Sequence, residues 1–296
     1  MFHYLAAILP LLLFFSDPII RLFSAAPPQI RRLPRPQLNP DLLALEDGSI
    51  NYTCPASGYT VHIYSRAPLV LYIENFLSPS ERDHLLEISE PLYQPSTVTH
   101  NGGATSEHAP AIRDSQVAVV PRTEGVRCVE DRARALQGWR SQVWIERLRV
   151  QRYAAGGHYA HHFDWSSGRG GWGRVSSFMV WVDAKGEGEE GGGEGADGGG
   201  DGLEGGGTEF PLLKRARDAR WCAFVECADD EWSGGGDDAE AGNGTVFKPV
   251  PGNAVYWENF RADTTGRGYE ETWHAGLPVK KGVKVGLNIW SWGWIE

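Results

Sequence analysis

The chain has 296 residues, of which 41% are hydrophobic and 12 are Trp, so it can bury one good-sized core. Its net charge of −10 comes from two acidic segments, 185–207 and 229–240, which hold thirteen acids against one Lys and leave +2 for the rest. That rest shows no basic patch, and nucleic-acid binding is therefore not expected.

The first 26 residues are predicted to be a secretory targeting segment. The apolar run 4–15 has the length of a signal-peptide core, and residues 19–26 end in small side chains that resemble a cleavage site. A cleaved signal peptide and an uncleaved signal anchor both fit, so membrane anchoring through the N-terminus is an open alternative. The Pro- and Arg-rich stretch 27–68 is predicted to be an extended stem.

Cysteines and glycosylation sequons give a second indication of the compartment. The four Cys are too few for a disulfide scaffold and form no zinc-type CxxC pair. Cys222 and Cys227 are close enough for a small loop bridge in an oxidising compartment. Sequons at Asn51 and Asn243 fit the same secretory route. These features predict a location in the endoplasmic reticulum, either in its lumen or anchored to its membrane.

The folded region is predicted to begin with a strand at 69–73 and a helix after it. Ser78 is an N-cap candidate and Glu81 closes a capping box, which predicts a helix that runs to about residue 90. Hydrophobic periodicity predicts a second helix over 126–142, packed outside the core.

The residues around His162 carry candidate metal ligands. Residues 148–153 alternate and are rich in strand formers, and a Gly pair at 156–157 indicates a turn after them. His162 and Asp164 are two residues apart, and on a strand such residues point to the same face. Two His and one carboxylate on one face of an octahedral ion leave the opposite face open, which is typical of Fe(II) oxygenases.

Three His crowd this run, and one of them has the spacing expected of a ligand. His162 has a carboxylate two residues later, whereas His158 and His161 are predicted to be rim residues. The alternative pair His158 and His162 is spaced as on a zinc-binding helix. It lacks the adjacent Glu of a metalloprotease and lies beside two glycines.

The third ligand candidate lies far downstream. His274 begins the first of two apolar runs that are joined by a turn at 280–282, and both runs are predicted to be strands. This arrangement would place His274 and Lys284 on neighbouring strands near one pocket. There a Lys is a compact cationic anchor for a ligand carboxylate.

Together these residues resemble the catalytic domain of prolyl 4-hydroxylases, which are 2-oxoglutarate- and Fe(II)-dependent dioxygenases. The similarity extends from about residue 69 to about residue 292. Its ordered matches at family spacing are Tyr153, Gly156, Tyr159, His162, Asp164, Arg174, the segments 206–211 and 251–257, His274 and Lys284.

The resemblance implies a cofactor set and a role for each site residue. It implies that His162, Asp164 and His274 bind Fe(II). It also implies that 2-oxoglutarate occupies two open metal positions, with Lys284 paired to its far carboxylate and Tyr153 lining its pocket. Dioxygen, ascorbate and a Pro-rich peptide or protein substrate complete the expected partners.

One position departs from the family pattern. Seven residues after Arg174, relatives carry a Tyr whose hydroxyl helps to bind the far carboxylate of 2-oxoglutarate, whereas this chain has Trp181. An indole N–H can donate a hydrogen bond but cannot accept one. Trp181 is therefore predicted to line the co-substrate site with a different reach and to change the affinity for 2-oxoglutarate.

The predicted architecture is mostly β with flanking helices. Many short strands with Gly and Pro turns predict a double-stranded β-helix, or jelly roll, for residues 69–296. Two low-complexity segments, 185–207 and 229–244, are predicted to be disordered acidic inserts in it. They are interpreted as tolerated surface insertions, with attraction of basic peptides as the alternative.

Three functions are compatible with these features. The first is hydroxylation of peptidyl proline in the secretory pathway, of the procollagen-proline 4-dioxygenase kind, and it is preferred by family analogy. The second is the same chemistry on a lysyl residue or a small molecule. The third is a jelly-roll binding protein without catalysis, and the intact ligand trio together with Lys284 counts against it.

Overall fold

The computed structural model describes residues 29–46, 48, 51–100, 105–166, 169–186, 202–227 and 244–296. The predicted targeting segment 1–26, the sequon at Asn243 and most of both acidic inserts lie outside the described residues. The helices are α1 (Pro79–Ser89) and α2 (Glu124–Leu136). The strands are β1 (Thr60–Arg66), β2 (Leu69–Glu74), β3 (Gln94–Pro95), β4 (Val98–His100), β5 (Thr105–Glu107), β6 (Arg113–Asp114), β7 (Gln116–Val119), β8 (Val143–Ile145), β9 (Arg149–Tyr153), β10 (His158–His162), β11 (Trp172–Lys185), β12 (Glu204–Gly205), β13 (Thr208–Phe210), β14 (Thr245–Phe247), β15 (Ala254–Glu258), β16 (His274–Gly276), β17 (Val279–Lys281) and β18 (Val283–Trp294).

Two antiparallel sheets form the body of the described structure. The large sheet has the order β1-β2-β15-β11-β18-β9-β7-β3, with β8 paired to β18. The small sheet has the order β14-β13-β16-β10-β6. Several neighbours in each sheet are far apart in sequence, as in β11 paired with β18 and β10 paired with β16, which is the connectivity of a double-stranded β-helix. The predicted jelly roll is confirmed.

Strand β11 shows how the layers are built, because alternate residues of a strand face opposite sides of a sheet. Phe178, Val180 and Val182 lie in the core that the large sheet shares with α1 and α2. Met179 and Trp181 lie in a second core between the two sheets. The order of layers is therefore helices, large sheet and small sheet.

Helix α1 begins where the sequence predicts a cap, and α2 begins at Glu124, two residues before its predicted start at 126. The Ser78 side chain caps α1, and Glu81 completes the capping box. Helix α2 ends at Leu136, six residues before the predicted end at 142. Gly138 takes a positive φ of 73°, the left-handed conformation that commonly terminates a helix. The prediction for the end of α2 was wrong because it followed the hydrophobic periodicity past this glycine.

The stretch predicted to be a stem contributes to the folded body. Strand β1, within 27–68, pairs with β2 at the edge of the large sheet. Further upstream, Leu33 N donates to Gly170 O (2.9 Å), and the Arg32 guanidinium lies 4.4 Å from the Trp294 ring centroid. The described part of this stretch is therefore docked on the domain rather than extended away from it.

The ends of the first acidic insert are also part of the sheets. Lys185 is the last residue of β11, and β12 pairs with β17. The predicted disorder of 185–207 is therefore wrong for 185 and for 204–205, because their backbone groups pair with neighbouring strands. Residues 187–201 and 228–243 lie outside the described residues.

Two disulfides are present among the described residues. Cys222 is bonded to Cys227, the small loop bridge that the spacing allowed. Cys54 is bonded to Cys128 of α2, a pair separated by 74 residues. The second bond fixes the segment before β1 to the helix layer.

None of the helices in the described parts of the chain is both long and apolar enough to cross a membrane.

Candidate active site

A cavity lined by polar, charged and aromatic side chains lies between the two sheets. Both sheets contribute side chains, and residues from seven strands line the cavity together with Asp164. The large sheet supplies Gln151, Tyr153, Met179, Trp257, Lys284 and Asn288, and the small sheet supplies Tyr159, His162, Thr208, His274 and Gly276.

The three predicted metal ligands come together at the small-sheet side of this cavity. One candidate ligand atom from each of His162, Asp164 and His274 lies within 4.8 Å of the other two. His162 Nε2 is 3.6 Å from Asp164 Oδ1, and His274 Nε2 is 3.9 Å from Asp164 Oδ2. Among the described residues, this is the group of three or more His, Cys, Asp or Glu side chains with metal-site spacing.

Strand pairing places the two His side by side. His162 and His274 are directly opposite each other in the pairing of β10 with β16. Asp164 lies in the bend just after β10 rather than on the strand. The expectation that His162 and Asp164 share one strand face was therefore wrong, although the bend still brings Asp164 to the ligand group.

The backbone orients both imidazoles. His162 Nδ1 is 2.8 Å from Ala160 O, and His274 Nδ1 is 2.8 Å from Thr272 O. An Nδ1–H donor on each ring leaves Nε2 as the unprotonated atom, with its lone pair directed at the shared space. This outer set of hydrogen bonds is typical of metal-binding His.

Aromatic contacts hold the His162 ring in place. The Tyr159 ring stacks on it with centroids 3.7 Å apart, and the Arg113 guanidinium lies 4.6 Å from the Tyr159 centroid. On the other side of the pair, the Phe210 ring stacks on His274 at 5.3 Å, and Trp257 meets it edge-on at 4.9 Å.

The protonation states are those that metal binding requires. Burial would raise the pKa of the Asp164 carboxyl, but its contact with His162 and the electrostatic influence of His274 lower it well below its usual range. Burial lowers the pKa of His274 to about 4. At neutral pH the group therefore offers one carboxylate and neutral imidazole, which are the forms that coordinate metal ions.

The other two His of the run lie away from the ligand group. His161 is half-exposed, and its Nε2 is 2.7 Å from Glu209 Oε2. His158 Nδ1 is 3.1 Å from Gly156 O. Both occupy the rim position that the sequence predicts.

Lys284 lies at the large-sheet side of the cavity and is almost fully buried. Its ammonium donates to Gly206 O at 2.6 Å and lies 4.7 Å from the Tyr153 ring centroid. No carboxylate within the described ranges pairs with it, and burial lowers its pKa to about 8. A buried cation without an anionic partner is costly, so the site suits an anionic ligand group.

His274 and Lys284 reach the cavity from different sheets. The prediction placed them on neighbouring strands, but β16 belongs to the small sheet and β18 to the large one. The turn at Gly282 does join β17 to β18 as predicted. The prediction treated residues 274–279 as one strand that turns directly into the Lys284 strand. In the structure β17 is a separate strand that pairs with β12, so β16 and β18 are not neighbours.

Trp181 does not line the cavity. Its side chain is completely buried in the core between the sheets, and its ring lies 6.1 Å from that of Tyr72. Trp181 faces the small sheet like Met179, but only Met179 is among the lining residues. The structure therefore does not support Trp181 as a co-substrate contact.

Three polar lining residues were missed by the sequence reasoning. Gln151, Thr208 and Asn288 line the cavity. Gln151 is two residues before Tyr153 and Asn288 four residues after Lys284, so strand alternation alone places them on the same faces as those residues. That signal was available in the sequence and was not used.

The catalytic region matches a known family. Residues 148–292 match the model of the 2OG-Fe(II) oxygenase superfamily, in which 2OG is 2-oxoglutarate. These residues are a 2OG-Fe(II) oxygenase domain. The match spans both His ligands, Asp164 and Lys284, and it confirms the predicted 2-oxoglutarate- and Fe(II)-dependent oxygenase assignment. The protein is a dioxygenase, which counts against the alternative of a non-catalytic binding protein.

Several solved structures are similar to this oxygenase. A viral collagen prolyl hydroxylase from Paramecium Bursaria Chlorella virus-1, in complex with 2OG, is 22% identical, with 76% of this chain and 96% of that chain covered and a TM-score of 0.47. A Pseudomonas putida prolyl-4-hydroxylase is 15% identical, with 80% and 93% covered and a TM-score of 0.42. A Trichoplax adhaerens prolyl hydroxylase in complex with a hypoxia inducible factor peptide fragment is 12% identical, with 76% and 83% covered and a TM-score of 0.46. No curated protein matches the chain.

The residues present fit Fe(II) and 2-oxoglutarate. His162, Asp164 and His274 are an Fe(II)-type ligand set, in which Asp164 is ionised and His274 neutral at neutral pH. Lys284 would hold the distal carboxylate of 2-oxoglutarate. When bound, the pair supplies the oxidising power that turns a substrate C–H into C–OH with dioxygen, while 2-oxoglutarate becomes succinate and carbon dioxide.

Loss of any one of the three ligands is expected to abolish metal binding. We predict that His162→Ala, Asp164→Ala or His274→Ala weakens Mn(II) or Fe(II) binding by at least ~100-fold, since even outer contacts of a metal site contribute 10–100-fold. Anaerobic equilibrium dialysis measures this. His161→Ala is the matched control and should bind metal as the unaltered protein does. The ligand assignment would be contradicted if His161→Ala lost metal binding while His162→Ala bound metal normally.

Affinity for 2-oxoglutarate is expected to fall at alkaline pH. Since the pKa of Lys284 is about 8 in the unliganded protein, the ammonium is charged below that pH and neutral above it. Affinity should therefore be constant below pH 8, and Kd should rise about tenfold per pH unit above it. Calorimetric titration of Mn(II)-loaded protein from pH 6.5 to 9.5 measures this. 2-Oxopentanoate, which lacks the distal carboxylate, should show no such rise, and an equal rise for both ligands would contradict the role of Lys284.

Proposed function

We propose that this oxygenase hydroxylates peptidyl proline at carbon 4. The proposal rests on the prolyl 4-hydroxylase pattern of the sequence and on one structural observation. This observation is a cluster of aromatic rings, only partly covered by the protein, whose residues directly precede or follow metal ligands in the chain.

The aromatic surface consists of Phe163, Trp165 and Trp273, which are all half-buried. Phe163 lies 4.5 Å from Trp165 and 4.7 Å from Trp273 between ring centroids. Phe163 and Trp165 flank Asp164 in the chain, and Trp273 directly precedes His274. The three rings therefore belong to residues that are immediate neighbours of the metal ligands along the chain.

A proline-rich segment suits such a surface. Proline fixes φ, so the segment already holds an extended polyproline II conformation and loses little entropy on binding. Aromatic side chains are the usual partners of this conformation in peptide-binding grooves. Ascorbate is proposed as the reductant that restores Fe(II) when turnover occurs without substrate.

Mass spectrometry of a peptide panel tests the proposal. With Fe(II), 2-oxoglutarate and ascorbate present, we expect a mass gain of one oxygen on Pro in short Pro-rich peptides. Trp273→Leu should raise the KM for these peptides roughly tenfold, as for loss of one aromatic contact, with Mn(II) binding unchanged. Trp139→Leu, at an exposed Trp outside the aromatic surface, is the matched control. Oxygen gain on Lys or on a small acceptor, with all proline peptides untouched, would favour the alternative substrates.

We further propose that the domain resides in the lumen of the endoplasmic reticulum, delivered or anchored by residues 1–26. The bonds Cys54–Cys128 and Cys222–Cys227 support this, because disulfides persist in oxidising compartments. Asn51 of the first sequon is exposed, as a glycosylation site must be.

Glycosylation tests the proposed location. Expressed in eukaryotic cells, the chain should gain mass that an endoglycosidase removes, and Asn51→Gln should remove the part carried by the first sequon. Alkaline extraction of membranes separates an anchored form from a lumenal one. A cytosolic product without glycan would contradict the proposed compartment while leaving the proposed reaction untouched.

A further inference from the structure

Gln151 has a buried side-chain amide that the protein itself does not satisfy. Its exposed fraction is 1%. Its Oε1 accepts a hydrogen bond from the Tyr153 hydroxyl at 3.0 Å. Its Nε2 has no hydrogen-bond partner among the described residues, and the side chain lines the cavity. Buried donors are rarely left unpaired, so the amide is available to a ligand.

Strand register places this amide beside the Lys284 ammonium. In the pairing of β9 with β18, Tyr153 is opposite Lys284 and Gln151 is opposite Gly286. Residues 151, 153, 284 and 286 therefore share one face of the sheet. Gly286 has no side chain to fill the space between its neighbours, and a Cβ there would collide with the Met179 Cε at 2.4 Å.

We propose that the Gln151 amide donates a hydrogen bond to the distal carboxylate of 2-oxoglutarate, next to Lys284. The inference rests on the family assignment and not on the proposed proline substrate. In the family pattern, a Tyr at the position of Trp181 supplies a neutral donor to this carboxylate. In this chain Gln151 supplies it from a different strand.

The chemistry of a carboxylate favours this pairing. A carboxylate has two oxygens with about four acceptor positions, and one ammonium does not fill them. One donor of Lys284 is already used by Gly206 O. The amide offers two N–H donors and no charge, so it adds hydrogen bonds without adding a second buried cation.

Tyr153 acts in this arrangement as a positioning residue. Its hydroxyl donates to Gln151 Oε1, which orients the amide with Nε2 toward the cavity. Its ring also contacts the Lys284 ammonium. The predicted contribution of Tyr153 to the 2-oxoglutarate pocket is thus exerted through both carboxylate-binding side chains.

Two indoles are competing donors. Trp257 Nε1 lacks a partner among the described residues and its side chain lines the cavity, but β15 is separated from β18 by β11, whereas Gln151 is on the strand paired with β18. Trp181 is the other. Its indole Nε1 also lacks a partner among the described residues, and Trp181 is opposite Gly286 from the other neighbouring strand. Gln151 lines the cavity and Trp181 does not. The geometry therefore favours the amide over either indole.

The experiment compares two ligands that differ in the distal carboxylate. Calorimetry on Mn(II)-loaded protein gives Kd for 2-oxoglutarate and, by competition, for 2-oxopentanoate. For Gln151→Met we expect ~10- to 100-fold weaker binding of 2-oxoglutarate, as for loss of a hydrogen bond to a charged group. Binding of 2-oxopentanoate should be unchanged. Gln151→Glu keeps the side-chain shape and the acceptor for the Tyr153 hydroxyl, but it places a second carboxylate beside the distal carboxylate of 2-oxoglutarate. Its affinity for 2-oxoglutarate should therefore fall further than that of Gln151→Met.

Controls and contrary outcomes are defined by the same assay. Gln116→Met makes the identical change at an exposed position on β7 and should bind both ligands as the unaltered protein does. Circular dichroism and thermal unfolding establish that each variant folds. The proposal is overturned if both Gln151 variants bind 2-oxoglutarate normally, if they lose both ligands equally, or if Trp181→Phe alone reproduces the loss.

Discussion

The pairing of β10 with β16 is the constraint on which the site depends. It sets His162 directly opposite His274, and both Nε2 atoms then meet Asp164 in one small volume. A slip of one residue in this register would turn either imidazole to the other face of the sheet. The stacked rings of Tyr159 and Phe210, which hold the two imidazoles, are therefore as much a part of the metal site as the backbone hydrogen bonds.

On the large-sheet side of the cavity, buried polar groups without partners lower the stability of the unliganded protein. The buried Lys284 ammonium contacts one backbone carbonyl and one aromatic ring. The buried Gln151 amide has an N–H donor without a partner among the described residues. Both features destabilise the unliganded fold, since desolvated polar groups without partners are unfavourable. An anionic ligand satisfies both at once and stabilises the folded state by mass action. Stability and co-substrate affinity are thus coupled through the same two side chains.

Local signals predicted what is local, and long-range pairing decided the rest. The Ser78 cap and the turn at Gly282 follow from neighbouring residues, and both were confirmed. The spacing around His162 was enough to choose it over His158 and His161. The bond between Cys54 and Cys128 joins residues 74 apart, and nothing in their surroundings marks them as partners. Trp181 faces the small sheet, as a cavity residue would, but whether it lines the cavity or is buried beside it depends on how the two sheets pack.

The two sheets supply different binding groups, and this explains how the cavity can select a ligand by its length. The metal ligands come from the small sheet and the bend after β10, whereas Lys284, Gln151 and Tyr153 come from the large sheet. A ligand that reaches both sets must bridge the space that these side chains leave between the sheets, whose facing backbones are about 10 Å apart. Phe210, Trp257 and Met179 fill that gap beside the site and fix its width. Selection for a five-carbon diacid is therefore a property of core packing as well as of the residues that touch it.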